Sequence, residues 1–151
     1  MAFRHRQFSQ RARELQTQPT NEKGIEVMQV FDWNTSEAQP VTELYRRMVA
    51  QGENISLARL EVAKGSRTRA HHHRHEEIII LLKGRWQFQF PTGEVTLGPN
   101  QILTIPPGVE HSSEVLEDAV AIDVCSPRRD DWIFGDDRTL HYDPDQELWG
   151  V

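Results

Sequence analysis

Between about residue 25 and residue 125 the chain is a succession of short runs rich in Val, Ile, Leu and Phe, each cut by turn residues. No other feature limits its fold as strongly, because such runs at regular spacing bury themselves by pairing as strands. "RWQFQF" alternates strictly, with Trp86, Phe88 and Phe90 on one side and Gln87 and Gln89 on the other. "EIIILL" is a continuous apolar run, short enough for a strand buried on both faces. "NISLARLEVAKG" alternates and ends on Lys64-Gly65, and Pro91-Thr92-Gly93 turns the chain into "EVTL", which "QILTI" and "AVAIDVC" follow. "GIEVMQVFDW" reads as the first strand. The pattern predicts an all-β antiparallel sandwich or barrel.

One segment carries two readings. "VTELYRRMVAQGEN" spaces Val41, Leu44, Tyr45, Met48 and Val49 as a helix would. "QGEN" directly before a clear strand is a hairpin turn, however, which makes "LYRRMVA" a partner strand. The strand is the expectation.

At 151 residues the chain is one domain by length. Its net charge of -6 argues against general nucleic-acid binding, which needs a basic face to neutralise phosphates. No apolar run reaches the length of a membrane span, so no membrane partner is expected. A single cysteine, Cys125, excludes an internal disulfide and points to a reducing compartment, hence a cytoplasmic location. "MAFRHRQFSQRAREL" has four arginines against one glutamate. An Arg-rich start can resemble a transit peptide, but the stretch is poor in Ser, and Phe3, Phe8, Ala12 and Leu15 lie near one face of a short helix. Residues 1–24 are thus read as a helical arm, 25–128 as the barrel and 129–151 as an acidic tail packing on it.

Chemistry concentrates in "AHHHRHEEIIILLKG", where four of the seven histidines fall within five positions. Side chains alternate along a strand, so His71 and His73 project to one side and His72 to the other. Two imidazoles one residue apart on one face can grip one metal ion, and imidazole suits Zn, Cu, Fe and Ni. Glu77 shares their parity, but so does His75, and alternation leaves the third ligand open. Further on, "TIPPGVEH" sets His111 after a rigid Pro106-Pro107-Gly108 turn.

Together these stretches resemble the cupin family. Its first motif, G-x5-H-x-H-x3-E-x6-G, is met at Gly65, His71, His73, Glu77 and Gly84. Its second, G-x5-P-x-G-x2-H-x3-N, is met at Pro106, Gly108 and His111, with Asn100 in place of the first glycine and Val115 in place of the asparagine. Asn is the next-best residue at a left-handed turn. The resemblance covers about residues 54 to 125. It implies a double-stranded β-helix, or jelly-roll barrel, to which the short N-terminal helix read from the apolar spacing above is added. It also implies one divalent transition metal (Fe, Mn, Ni, Zn or Co) held by His71, His73, Glu77 and His111, with His72 and His75 outside the ligand set.

"AIDVCSPRRDDW" is further similar to the closing "D-x-F-S-P-x-R-x-D" of a small cupin group that includes pectin-degradation enzymes opening unsaturated uronate rings. Cys125 stands where an aromatic is usual there, and members of that group often carry Gln where Glu77 sits. Asp123, Ser126, Pro127 and either Arg128 or Arg129 correspond. The resemblance implies Asp123 as a general base and an arginine gripping a substrate carboxylate bidentately. Arg128 is placed with Asp123 as catalytic, and Arg129 with Arg69 as substrate-binding. A metal-dependent enzyme acting on a small oxygen-rich metabolite is the leading expectation. A dioxygenase of a chelating small molecule and a non-catalytic ligand-binding cupin are the alternatives. Cupins of this size are commonly dimers, so a homodimer is expected.

Overall fold

A computed structural model describes residues 28–142. The helix expected in the first residues lies outside the described residues. The described residues form eight strands: β1 (Gln39–Thr42), β2 (Tyr45–Gln51), β3 (Ser56–Val62), β4 (Arg67–His71), β5 (Glu76–Phe90), β6 (Gly93–Leu97), β7 (Ile102–Ile105) and β8 (His111–Ser126). A short helix, α1 (Asp130–Phe134), and a 3₁₀ turn, Asp136–Leu140, follow.

All pairings are antiparallel, and the strand order is β1-β2-β3-β8-β5-β6, with β4 on β8 and β7 on β5. The ambiguous segment is strand. Tyr45 pairs with Val62 and Gln51 with Ser56, and Gly52 N–H closes the hairpin on Ile55 O at 2.8 Å. Tertiary pairing has overridden the helical spacing, because Tyr45 and Arg47 must face inward together.

"EIIILL" and "RWQFQF" are halves of one strand, β5, and "AVAIDVC" is the end of another, β8. The two run side by side, and their register slips between Leu81 and Trp86. There the pair bends, so each strand serves two walls. The first halves of β5 and the second half of β8 join β3 and β7, while the remaining halves join β4 and β6. Gly84 makes the bend possible: its φ is +91°, and a Cβ would lie 2.3 Å from the Asp118 carbonyl oxygen. Asn100 takes φ +67°, the left-handed conformation its place in the second motif demands.

Inward residues of both walls make one core, in which Leu60, Leu81, Ile105 and Val115 are fully buried. Each contributes roughly 1.5–3 kcal/mol by leaving water. Only the inward side of "EIIILL" is fully covered. Ile79 and Leu81 are buried, Ile78 and Ile80 half-buried and Leu82 exposed, so the expectation of burial on both faces is corrected to one.

"GIEVMQVFDW" does not form a strand over its described residues. Met28 to Asp32 have no regular structure, and Asp32 opens a turn whose Oδ1 accepts from Asn34 N–H at 2.9 Å. A β-prone run stays irregular where no partner strand offers its backbone a ladder.

The segment after β8 closes the seam between β2 and β4. Strand β4 has β8 on one side, and its other edge receives the bridge Thr68–His141 and a hydrogen bond from Tyr142 N–H to Arg67 O. Trp132 of α1 is buried in the core, and Gly135 ends the helix at φ +72°. No helix among the described residues is long and apolar enough to cross a membrane.

Candidate functional site

His71 ends β4 opposite His111, the first residue of β8, and Glu77 is the second residue of β5. One ring nitrogen each of His71, His73 and His111 lies within 4.8 Å of the others. The Nδ1 atoms are tied back to the chain: His71 to Arg69 O at 2.6 Å, His73 to His75 O at 3.0 Å and His111 to Val109 O at 2.8 Å. A carbonyl only accepts, so each Nδ1 carries the proton and each Nε2 keeps a lone pair.

Glu77 Oε2 lies 3.0 Å from His73 Nε2 and 3.5 Å from His111 Nε2. In that tautomer lone pairs converge on a buried carboxylate with no proton between them, an arrangement that a cation resolves. Two ligands about 2.1 Å from one ion at a right angle stand about 3 Å apart, so the spacing suits neighbouring vertices of a coordination sphere. Three imidazoles and a carboxylate are the donor set of a divalent transition metal. His71 is half-buried and burial lowers its pKa, with the neighbouring imidazoles adding to the shift. For His111, burial lowers the pKa but the Glu77 carboxylate more than reverses it.

Asp123 faces this group from β8. Its carboxylate, that of Glu77 and the Cys125 thiol bring one atom each within 4.8 Å of one another, all buried. Burial pushes Asp123 well above the usual carboxylate range, and the adjacent Glu77 charge adds to it. Burial also pushes Glu77 up, but the close His111 and His73 imidazoles and Asp123 outweigh it and leave Glu77 below that range. The charge therefore rests on Glu77 and the proton on Asp123. Burial raises the Cys125 thiol, which donates to Asp123 Oδ1 at 3.7 Å and stays protonated.

Arg129 is 4% exposed. Its Nε and Nη2 donate to Asp131 at 2.8 and 2.7 Å, its guanidinium lies 4.8 Å from the Trp132 ring centre, and Nη1 reaches Cys125 Sγ at 3.9 Å. Arg129 N–H donates to Ser56 Oγ at 2.8 Å, which fixes the backbone that turns this side chain inward.

One cavity of about 50 Å³ is lined by His71, His73, Glu77, His111, Asp123 and Arg129. Arg128 and Arg69 are not brought to it. Arg128 is exposed and pairs with Asp130 at 2.7 Å, and Arg69 stacks on the Tyr142 ring at 4.1 Å on the surface. Of the two adjacent arginines, only Arg129 faces the cavity, and the catalytic place foreseen for Arg128 has no geometric support. His72 is exposed, and His75 serves His73 through its backbone oxygen. Trp86 and Phe88 are core residues, although both also reach the cavity wall.

Sequence reasoning missed Tyr45, Trp132, Asp137 and His141 on the same wall. A lone Trp within "RRDDWIFGDD" was the one available signal, since an aromatic amid acids is often an anchor.

Residues 58–125 match the sequence profile of the Cupin_2 family, the cupin domain. Among solved structures, KdgF from Halomonas sp. superposes with a TM-score of 0.65 at 24% identity, covering 69% of this chain and 99% of that one. An RmlC-like cupin from Shewanella frigidimarina gives 0.65 at 19%, covering 70% and 96%. Oxalate decarboxylase of Bacillus subtilis gives 0.58 at 18%, covering 72% and 32%. At these identities the likeness is one of fold. No curated protein matches the sequence.

Proposed function

We propose that this chain, which carries a cupin domain, is a metal-dependent enzyme that opens the ring of a small unsaturated uronate. The observation that carries the reading is the meeting of a protonated, buried Asp123 with Arg129 beside the three imidazoles and Glu77. His71, His73, Glu77 and His111 would hold one divalent transition metal, which supplies Lewis acidity toward a substrate oxygen when bound.

The chain's own groups cover the remaining needs. The Arg129 guanidinium is anchored by Asp131 and Trp132, and Nη1, whose contact with Cys125 Sγ is long at 3.9 Å, is the nitrogen that would meet a substrate carboxylate. Ring opening of an unsaturated uronate is an isomerisation. The hemiacetal hydroxyl loses a proton and becomes an aldehyde as the bond from the anomeric carbon to the ring oxygen breaks, and the enolate left behind takes a proton on carbon to become a ketone. No second reactant is consumed. Asp123 suits the proton-carrying role, because burial and the adjacent Glu77 charge make it bind a proton more readily than an ordinary carboxylate.

The test is a panel of unsaturated uronates followed by loss of ultraviolet absorbance, with oxygen consumption recorded in parallel. Absorbance loss without oxygen uptake supports ring opening. Oxygen uptake with a chelating substrate would move the assignment to a dioxygenase, and neither signal would leave a ligand-binding protein.

A homodimer belongs to the same reading. Met28, Val30 and Phe31 are exposed, and Phe31 and Trp33 flank a depression of about 730 Å³ floored by Met48, Ala50 and Leu57 on the outer face of β2 and β3. Light scattering at micromolar concentration is expected to give twice the chain mass.

A further inference from the structure

Two buried polar atoms of residues on the cavity wall have no hydrogen-bond partner, Nε1 of Trp86 and Nδ1 of His141. Their residues are 4% and 8% exposed, so bulk water does not serve them. Buried polar atoms without partners are uncommon in folded proteins and ask for a ligand or an ordered water.

The two atoms differ in what they want. An indole N–H only donates. His141 turns Nε2 to within 3.5 Å of Asp137 Oδ2. Both terminal nitrogens of Arg47 hold that carboxylate in place. The carboxylate draws the proton to Nε2, which leaves Nδ1 as an acceptor. The wall also carries the hydroxyls of Thr68 and Ser113, 2.9 Å apart, and the Tyr45 ring, 4.6 Å from that of His141. Hydroxyl groups both donate and accept, so they match such a wall, whereas carboxylates and alkyl groups do not. The cavity of about 50 Å³ has room at this wall for a hydroxyl-bearing carbon.

We infer that the segment after β8 completes a hydroxyl-recognising subsite, with His141 as acceptor and Trp86 as donor, for the hydroxylated end of a polyhydroxy acid. Asp137 is its positioning residue. The acid end of the ligand rests on the function proposed above, through Arg129. The hydroxyl end rests on the two unpartnered atoms. Asp137 and His141 lie outside residues 58–125, so the accepting side of this subsite comes from the part of the chain that the family profile does not reach.

The test compares binding of hexuronates and hexonates with that of analogues lacking one hydroxyl in turn, by calorimetry on the full chain as purified. The wild type is expected to prefer the parent acid over at least one deoxy analogue by about tenfold. His141→Leu should bring that ratio to about one, with bound metal unchanged and a lower thermal midpoint, because the buried Asp137 carboxylate loses one partner. His141→Asn, whose side-chain oxygen falls near Nδ1, should restore part of it. No preference in the wild type means that water fills the wall, and the inference fails. Equal weakening of parent and deoxy ligands in His141→Leu means that His141 only supports the fold, and the inference fails again. Should His141→Leu not fold, Trp86→Phe reads the same ratio. Absence of uronate turnover would overturn the proposed function alone, because the hydroxyl preference is read by binding.

Discussion

Arg47 and Asp137, ninety positions apart, form a bidentate ion pair that solvent does not reach. Nη1 and Nη2 meet the two carboxylate oxygens at 2.5 and 2.8 Å, and the side chains are 1% and 2% exposed. Arg47 also donates to Trp132 O and Gln39 Oε1. The pair thus fastens the segment after β8 to β2 across the seam. Removing one partner strands a buried charge, so Asp137→Ala is expected to cost about 3–5 kcal/mol. The double variant Arg47→Met/Asp137→Leu should cost far less, since no charge is left behind. Urea midpoints of both variants decide this, and equal losses would show that the pair matters only as packing.

The same pair makes acid stability predictable. Burial raises the Asp137 pKa, but hydrogen bonds from Arg47 and then His141 more than reverse it, and the native value lies below the usual range. A depressed carboxylate contributes its full stability above its unfolded pKa of about 3.9 and loses it as pH falls toward the native value. The wild-type urea midpoint is therefore expected to drop steeply below pH 4. Asp137→Asn should start lower and fall less over that window. Parallel curves for the two proteins would contradict the assignment.

Metal content separates the ligand set from its neighbours. His111→Ala removes one of the three Nε2 donors and should abolish stoichiometric metal while leaving the β signature of the circular dichroism intact. His72 is exposed, and His72→Ala should keep the metal. Elemental analysis of protein purified without a His tag or chelator reads both. Equal loss from the two would show that the histidine cluster binds nonspecifically.

Two motif glycines should respond differently to alanine. At Gly84 a Cβ meets three backbone atoms at 2.3 to 2.9 Å as well as φ +91°, and the bend of β5 on β8 has nowhere to go. Gly65 has a similar φ of +90° but nothing within 4 Å. Gly65→Ala should cost about 1–2 kcal/mol from the left-handed backbone alone, and Gly84→Ala clearly more. Thermal melts of the two, side by side, test whether the close approach of the strands is real.

What the sequence disclosed follows from where its patterns are regular. The alternation in "RWQFQF" and "NISLARLEV" gave true strands, whereas the residues that converge were implied only by the family resemblance carried by the two motifs, since alternation alone left Glu77 and His75 equal. That "EIIILL" and "RWQFQF" are one strand was hidden, because the slip around Gly84 shifts the parity between them. "GIEVMQVFDW" misled, because β-propensity states a need for a partner and not the presence of one. Past Ser126 the strand ends and parity no longer applies, so Arg128 and Arg129 were indistinguishable. The helix of five residues that follows is too short to show a period, which left Trp132, Asp137 and His141 unread.

The roles of Asp123 and Arg129 divide between rate and binding, and kinetics should divide them too. Asp123→Asn keeps the shape beside Glu77 but cannot exchange a proton. Its kcat on an unsaturated uronate is expected to fall by about 10²- to 10⁴-fold, with KM and metal content little changed. Arg129→Lys keeps a charge but loses the fork that holds Asp131 and faces the cavity, so KM should rise by about tenfold or more. Arg128→Ala touches only a surface pair with Asp130 and should leave both constants within about twofold. If Arg128→Ala impaired turnover and Arg129→Lys did not, the inward arginine would be structural and the carboxylate grip would have to lie elsewhere. If Asp123→Asn instead released the metal, its carboxylate would be acting as a ligand, and the proton carrier would have to be sought among the remaining groups of the cavity wall.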